Sequence, residues 1–140
     1  SLQRAQFGEE IQLLGYDLSS ESSRGQRGAD LELTLWWQAL NAPAADYKRF
    51  VHVYDPETEA VAVQDDAMPR AWSYPTSWWA DGEVVSETVT LDLSAVSPDR
   101  YRIAVGWYDP EPLDRLPAYD ADGARQPLDR IDLDTITRRR

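Results

Sequence analysis

Four aromatic residues, Trp72, Tyr74, Trp78 and Trp79, fall within one short stretch, with Arg70 and Asp81 beside them. Aromatic rings offer a broad apolar face, and Tyr and Trp add a polar handle. A sugar ring presents a matching C–H face, and flanking Asp and Arg groups can bond its hydroxyls. The spacing therefore points to glycan binding. Trp78 and Trp79 are adjacent, so extended backbone turns them to opposite sides. At most one of the two then faces a ligand, and the other anchors the loop. Trp36 joins this set, because alternation places it on the polar face of its strand. The bland alternative is that all these rings plug the open end of the core.

Carboxylates raise other chemistries. Asp120-Ala121-Asp122-Gly123 has a D-x-D-G form, and Asp65-Asp66 offers two more acids. Calcium takes six to eight oxygen ligands, but the later ligand positions of a calcium loop are not filled here. Asp-Gly also makes a hairpin turn. No cofactor is expected, and a structural calcium at Asp120, Asp122, Asp65 or Asp66 is the alternative. His52 is the one histidine, so a multi-histidine metal site is excluded. It is expected to be a packed residue bonded to a neighbour. A dyad with Asp65 or Asp66 would need a nucleophile, and no G-x-S-x-G motif exists. No catalytic residue is expected. Glu87 alternates with Val85, Val89 and Leu91, which turns it inward. A buried Glu needs a cationic partner, and Arg102 is the candidate.

Composition narrows the field. The chain has 140 residues, 14 Lys+Arg against 25 Asp+Glu, and a net charge of −11. That balance disfavours nucleic-acid and anionic-membrane partners, which need a basic face. The absence of cysteine excludes disulfides, thiolate catalysis and zinc–cysteine sites. No run approaches the ~18 apolar residues of a membrane span. The basic tail, residues 137–140, is expected to be a frayed terminus. The chain starts at Ser1 and reads as a single domain over 1–140, cut from something larger.

The elements that position these residues read as strands. Leu31, Leu33, Leu35 and Trp37 alternate with Glu32, Thr34, Trp36 and Gln38. That is a strand with one face in a core and one in water. In Arg49–Tyr54 both alternating sets are bulky, which marks a central strand. Tyr101, Ile103, Val105 and Trp107 form a third clear set. Further strands are expected at Ile11–Leu18, Ala60–Gln64, Val84–Leu93, Ile131–Ile136 and, in short form, Leu116–Tyr119. A weak helical hint covers Ala42–Tyr47. About seven or eight short strands with turn signals between them predict an all-β, antiparallel β-sandwich, immunoglobulin-like or jelly-roll. The expected core is Leu13, Leu31, Leu33, Leu35, Trp37, Val51, Val53, Val89, Leu91, Ile103, Val105 and Trp107.

Several segments also match a known family in order. They are Gly15–Leu18, Leu33–Ala39, Phe50–Val53, Tyr74–Trp79 running into Asp81–Val85, Tyr101–Asp109, Arg115–Pro117 and Asp120–Gly123. Together they resemble the soluble β-sandwich domain at the C-terminal end of bacterial, Chloroflexi-type multi-pass membrane glycosyltransferases of the protein-mannosyltransferase type. The resemblance covers about Phe7 to Ile136. It implies an extracytoplasmic accessory domain, tethered to the membrane through its parent protein, whose catalytic carboxylates lie elsewhere. The partners it implies are a carbohydrate or acceptor protein and the parent's own membrane part. The alternatives are a purely structural or protein-interaction module and a glycan-active hydrolase.

Overall fold

The computed structural model describes residues 2–20, 30–69, 73–93, 100–111 and 113–137. Nine strands run in chain order: β1 (Leu2–Phe7), β2 (Ile11–Ser20), β3 (Asp30–Ala39), β4 (Lys48–Tyr54), β5 (Val61–Ala67), β6 (Val84–Asp92), β7 (Arg100–Tyr108), β8 (Ala118–Tyr119) and β9 (Ile131–Thr137). They form two antiparallel sheets, one ordered β6-β3-β2-β1-β8 and the other β5-β4-β7-β9. Here these are sheet A and sheet B. Consecutive β2 and β3 pair within sheet A, while β4 and β5 lie in sheet B and β6 returns to sheet A. That arrangement is of the immunoglobulin-like kind.

The alternation sets up the packing. Leu31, Leu33, Leu35 and Trp37 of β3 lie opposite Leu91, Val89, Glu87 and Val85 of β6. Val51 and Val53 of β4 lie opposite Val105 and Ile103 of β7. Every residue expected in the core is buried. At the centre, Trp37 meets Trp107 edge-on at 4.9 Å, and Phe7 packs against Trp37 at 5.8 Å. β4 is central, as its two bulky faces predict. Two expectations need correction. β1 is not expected as a strand from the sequence, because half of its run LQRAQF is polar; among its described side chains Ala5 and Phe7 are buried. Residues 42–47 are not helical; they form bends that brace a neighbouring loop.

Glu87 does turn inward and is 5% exposed. Its partner is Arg49, not Arg102. Arg49 shares the face of Val51 and Val53, so it points between the sheets. Its Nε donates to Glu87 Oε2 at 3.2 Å, and its Nη1 donates to the Asp65 carbonyl and Asp65 Oδ1, each at 2.8 Å. Trp37 Nε1 donates to the same Glu87 oxygen at 2.9 Å. Arg102 sits on the opposite face of β7, where its Nε reaches Thr135 Oγ1 at 3.3 Å.

Phe50, His52 and Tyr54 point to the outer side of sheet B yet are buried. The segment after β7 roofs that face. The Arg115 guanidinium lies over the Phe50 ring at 4.3 Å, and that of Arg130 lies over Tyr54 at 4.0 Å. Gly106 makes the roof possible: a Cβ there would stand 2.3 Å from Phe50 Cζ and 3.0 Å from the Asp129 carbonyl.

Two substitutions test this architecture by urea unfolding. Gly106→Ala is expected to cost about 1–3 kcal/mol, because the Phe50 ring is forced off its site. Glu87→Ala is expected to cost about 3–5 kcal/mol, since it strips a buried Arg of its main partner. The pair Arg49→Met with Glu87→Leu is expected to cost less than Glu87→Ala alone.

Candidate functional site

The connections β1–β2, β3–β4, β5–β6 and β7–β8 meet at one end of the sandwich. Backbone bonds tie them together: Leu40 N donates to the Glu10 carbonyl at 2.7 Å, Gly82 N to the Ala39 carbonyl at 2.8 Å, and Gly8 N to the Pro117 carbonyl at 2.8 Å. The aromatic segment between β5 and β6 is part of this end. Arg70 and Trp72 lie outside the described residues.

The rest of that segment is tightly held. Pro75 leads into a 3-10 turn over Thr76–Trp78. Thr76 is fully buried; its hydroxyl donates to the Ala45 carbonyl at 2.6 Å and accepts from Tyr47 N at 3.0 Å. Ser77 N donates to Asp46 Oδ1 at 3.0 Å. Glu83 closes the segment, accepting from the Tyr74 hydroxyl at 2.6 Å and from Ala80 N at 2.9 Å.

That frame separates the two adjacent tryptophans. Trp79 is 2% exposed and meets Trp107 of the core edge-on at 5.9 Å. Its Nε1 donates to the Tyr74 carbonyl at 3.3 Å. It is therefore the anchor and leaves the candidate ligand face. Trp78 is 64% exposed. Tyr74, half-buried, bridges them, with ring centroids 6.3 Å from Trp78 and 6.5 Å from Trp79. Asp81 is exposed, and its Oδ1 accepts from the backbone of Ala42, so it braces the neighbouring connection. Trp36 is not brought to this group. It lies on the outer face of sheet A, opposite Ser86 and Gly15, half-buried and without a ring contact to Tyr74 or Trp78.

At the same end of the sandwich, by β1 and β8, runs an open groove of about 900 Å³, with Gln6, Glu9, Asn41, Tyr119 and Asp120 among its walls. Glu10 underlies it. Its two oxygens accept from the Tyr47 hydroxyl at 2.5 Å and from Ala44 N at 2.8 Å. Neither Glu10 nor Tyr47 stands out in the sequence, because nothing in the chain marks two connections as neighbours.

The acidic candidates do not converge. Asp120 Oδ1 accepts from Asp122 N at 2.9 Å and Ala124 N at 3.0 Å, which is a turn holding itself. Asp65 is engaged by Arg49. Asp66 lies on the other face of β5, with Oδ1 3.7 Å from His52 Nε2. No cluster of three or more His, Cys, Asp or Glu is placed to hold a metal among the described residues. His52 is packed against Phe50, ring centroids 4.7 Å apart. No serine lines the recess that His52 and Asp66 share.

Burial and the bond to Glu10 push the Tyr47 phenol up to about 12. The folded state therefore keeps this proton after the unfolded chain has lost it near the ordinary value of 10.0. Stability from this bond is full below pH ~10 and is lost as pH rises toward ~12. Tyr47→Phe is expected to flatten the alkaline fall in melting temperature across that window.

No family model matches this chain, and no curated protein matches it. Among solved structures it is similar to a crystal structure from Bordetella pertussis, provisionally named the ApaA protein. The identity is 8%, the match covers 97% of this chain and 93% of that one, and the TM-score is 0.42.

Proposed function

We propose that this chain is a non-catalytic, extracytoplasmic accessory domain of a membrane glycosyltransferase. In this reading it holds a glycan, or the sugar-bearing part of an acceptor protein, at the Trp78 end of the sandwich. The membrane-enzyme context rests on the sequence segments that resemble the mannosyltransferase-type family. The binding role rests on one observation: the Trp78 ring is 64% exposed on a turn that every neighbouring group holds still.

Folding gains little from an indole left in water, while a ligand gains from a ring already fixed in place. Tyr74 supports Trp78 edge-on, so the free face of the indole is presented without side-chain rearrangement. The groove at the same end of the sandwich supplies hydrogen-bonding side chains of the kind that hydroxyls need, in Gln6, Asn41 and Tyr119. Carboxylates on the groove wall, Glu9 and Asp120, favour a neutral or cationic chain over an acidic one.

Calorimetric titration with neutral oligosaccharides, mannose-containing ones first, tests the reading. Trp78→Ala is expected to abolish the heat of binding and leave the melting temperature within a degree or two, since surface changes cost about 0.5 kcal/mol or less. Trp79→Ala is expected to destabilise the domain by about 3–5 kcal/mol through the cavity it leaves. Equal binding by wild type and Trp78→Ala would overturn the assignment of the loop.

A further inference from the structure

The outer face of sheet B carries a second recess, built from different residues. It is an open depression of about 240 Å³ beside the segment that crosses from β7, lined by Phe50, His52, Asp66, Tyr108, Leu113 and Arg115. Its polar groups are of two kinds. Asp66 supplies an acceptor. Its Oδ1 is shielded from solvent and faces His52 Nε2 at 3.7 Å, with no hydrogen-bond partner among the described residues. Its Oδ2 takes only a long bond, 3.3 Å, from the Tyr108 hydroxyl. The carboxylate is a quarter exposed, so Oδ2 keeps a lone pair open to the recess.

Arg115 supplies donors. Its guanidinium lies over Phe50, and one of its N–H groups reaches the Leu128 carbonyl at 2.7 Å. A guanidinium has five donors, and the others have no acceptor among the described residues. At the mouth, Leu113 is 70% exposed. Its backbone is in the left-handed region, φ 66, held there by a bond from its N–H to the Asp109 carbonyl at 2.8 Å. An apolar side chain thus stands at the rim of the recess.

This chemistry selects an occupant. Acid and base line the same recess, so a net anion meets Asp66 and a net cation meets Arg115. A free ammonium brings three donors and would find one open acceptor, leaving polar groups buried without partners. A hydroxyl needs one donor and one acceptor, and neighbouring hydroxyls on a ring present both. The volume is below the ~300–1,000 Å³ of drug-sized sites, which limits the occupant to about one ring. We infer that this recess binds a single neutral polyhydroxylated ring, one sugar unit, with one hydroxyl donating to Asp66 Oδ2, its neighbour accepting from Arg115, and a C–H face beneath Leu113. The inference stands on other residues than the Trp78 loop and does not rest on it.

Titration of the 15N-labelled protein with glucose, mannose and galactose, followed by amide shifts, tests this. Glycine, a zwitterion, and inorganic phosphate, an anion, serve as the comparisons. Sugars are expected to move the amides of residues 50–52, 65–67 and 108–115, and glycine and phosphate to leave them unmoved. Asp66→Asn and Arg115→Gln are each expected to weaken that response at least about tenfold, as loss of a bond to a charged group does. Arg115→Lys, which keeps the charge over Phe50, is expected to weaken it as well. Trp78→Ala is expected to leave it unchanged. Shifts confined to residues 74–82 would overturn the recess and spare the loop. Shifts at the recess with glycine or phosphate in place of sugars would overturn the assigned ligand, as would wild-type affinity in Asp66→Asn and Arg115→Gln. No response to any sugar at either place would overturn this proposal and the loop reading together.

Discussion

The edge-on contact between Trp79 and Trp107 fixes the end of the sandwich where a ligand could approach. One indole from an irregular connection is driven into the core, where Trp107 already leans on Trp37. Burying an aromatic ring of that size is among the larger single gains available to a small domain. Once Trp79 is seated, the 3-10 turn before it has little freedom, and Trp78 has only the outside left to occupy. Exposure of Trp78 is thus a consequence of packing elsewhere. The same anchoring sets Thr76 against residues 45–47 and brings Glu83 under Tyr74.

The two sheets are also joined by charge. Glu87 from sheet A and Arg49 from sheet B meet in the space between β6 and β5, and Trp37 shares the Glu87 carboxylate. A buried ion pair of this kind adds little net stability compared with apolar packing. What it does add is geometry. Arg49 also grips Asp65 on β5, so the edge of sheet B is held at a defined distance from the edge of sheet A. In a chain without a cysteine, this cluster supplies the directional link between layers that apolar contacts alone do not.

Much of the fold is written in period-two alternation, and the parts that are not have identifiable causes. β3, β4 and β7 carry bulky residues on at least one face throughout, and those strands and their buried sets follow from the sequence. Half of β1 is polar, so its pattern is too thin to read. The split between Trp78 and Trp79 follows from their adjacency, but which one faces out depends on the position of Trp107 across the core. Arg49 was hidden by its place at the start of a strand, where a charged residue looks like a flank. Its alternation with Val51 and Val53 was the usable signal, and the outward set of Arg102, Ala104 and Gly106 pointed away from Glu87. The small residues Ala104 and Gly106 on a strand also signal a face approached closely by other backbone. The roof over sheet B is that approach. Arg115 comes from a turn-rich stretch, and its place in the same recess as Asp66 depends on a crossover that no local pattern records.

Strand direction has a further consequence. β1 runs from Leu2 toward the Gly8 turn, and β9 runs from Ile131, opposite Val105, to Thr137, opposite Arg100. The described span, Leu2 to Thr137, therefore begins and ends on the side of the sandwich opposite Trp78. A linker, surface or fusion partner joined at either terminus would hold the domain like a cantilever, with the indole at its free tip. The domain has a base and a head, and the polarity is set by antiparallel pairing before any partner is present.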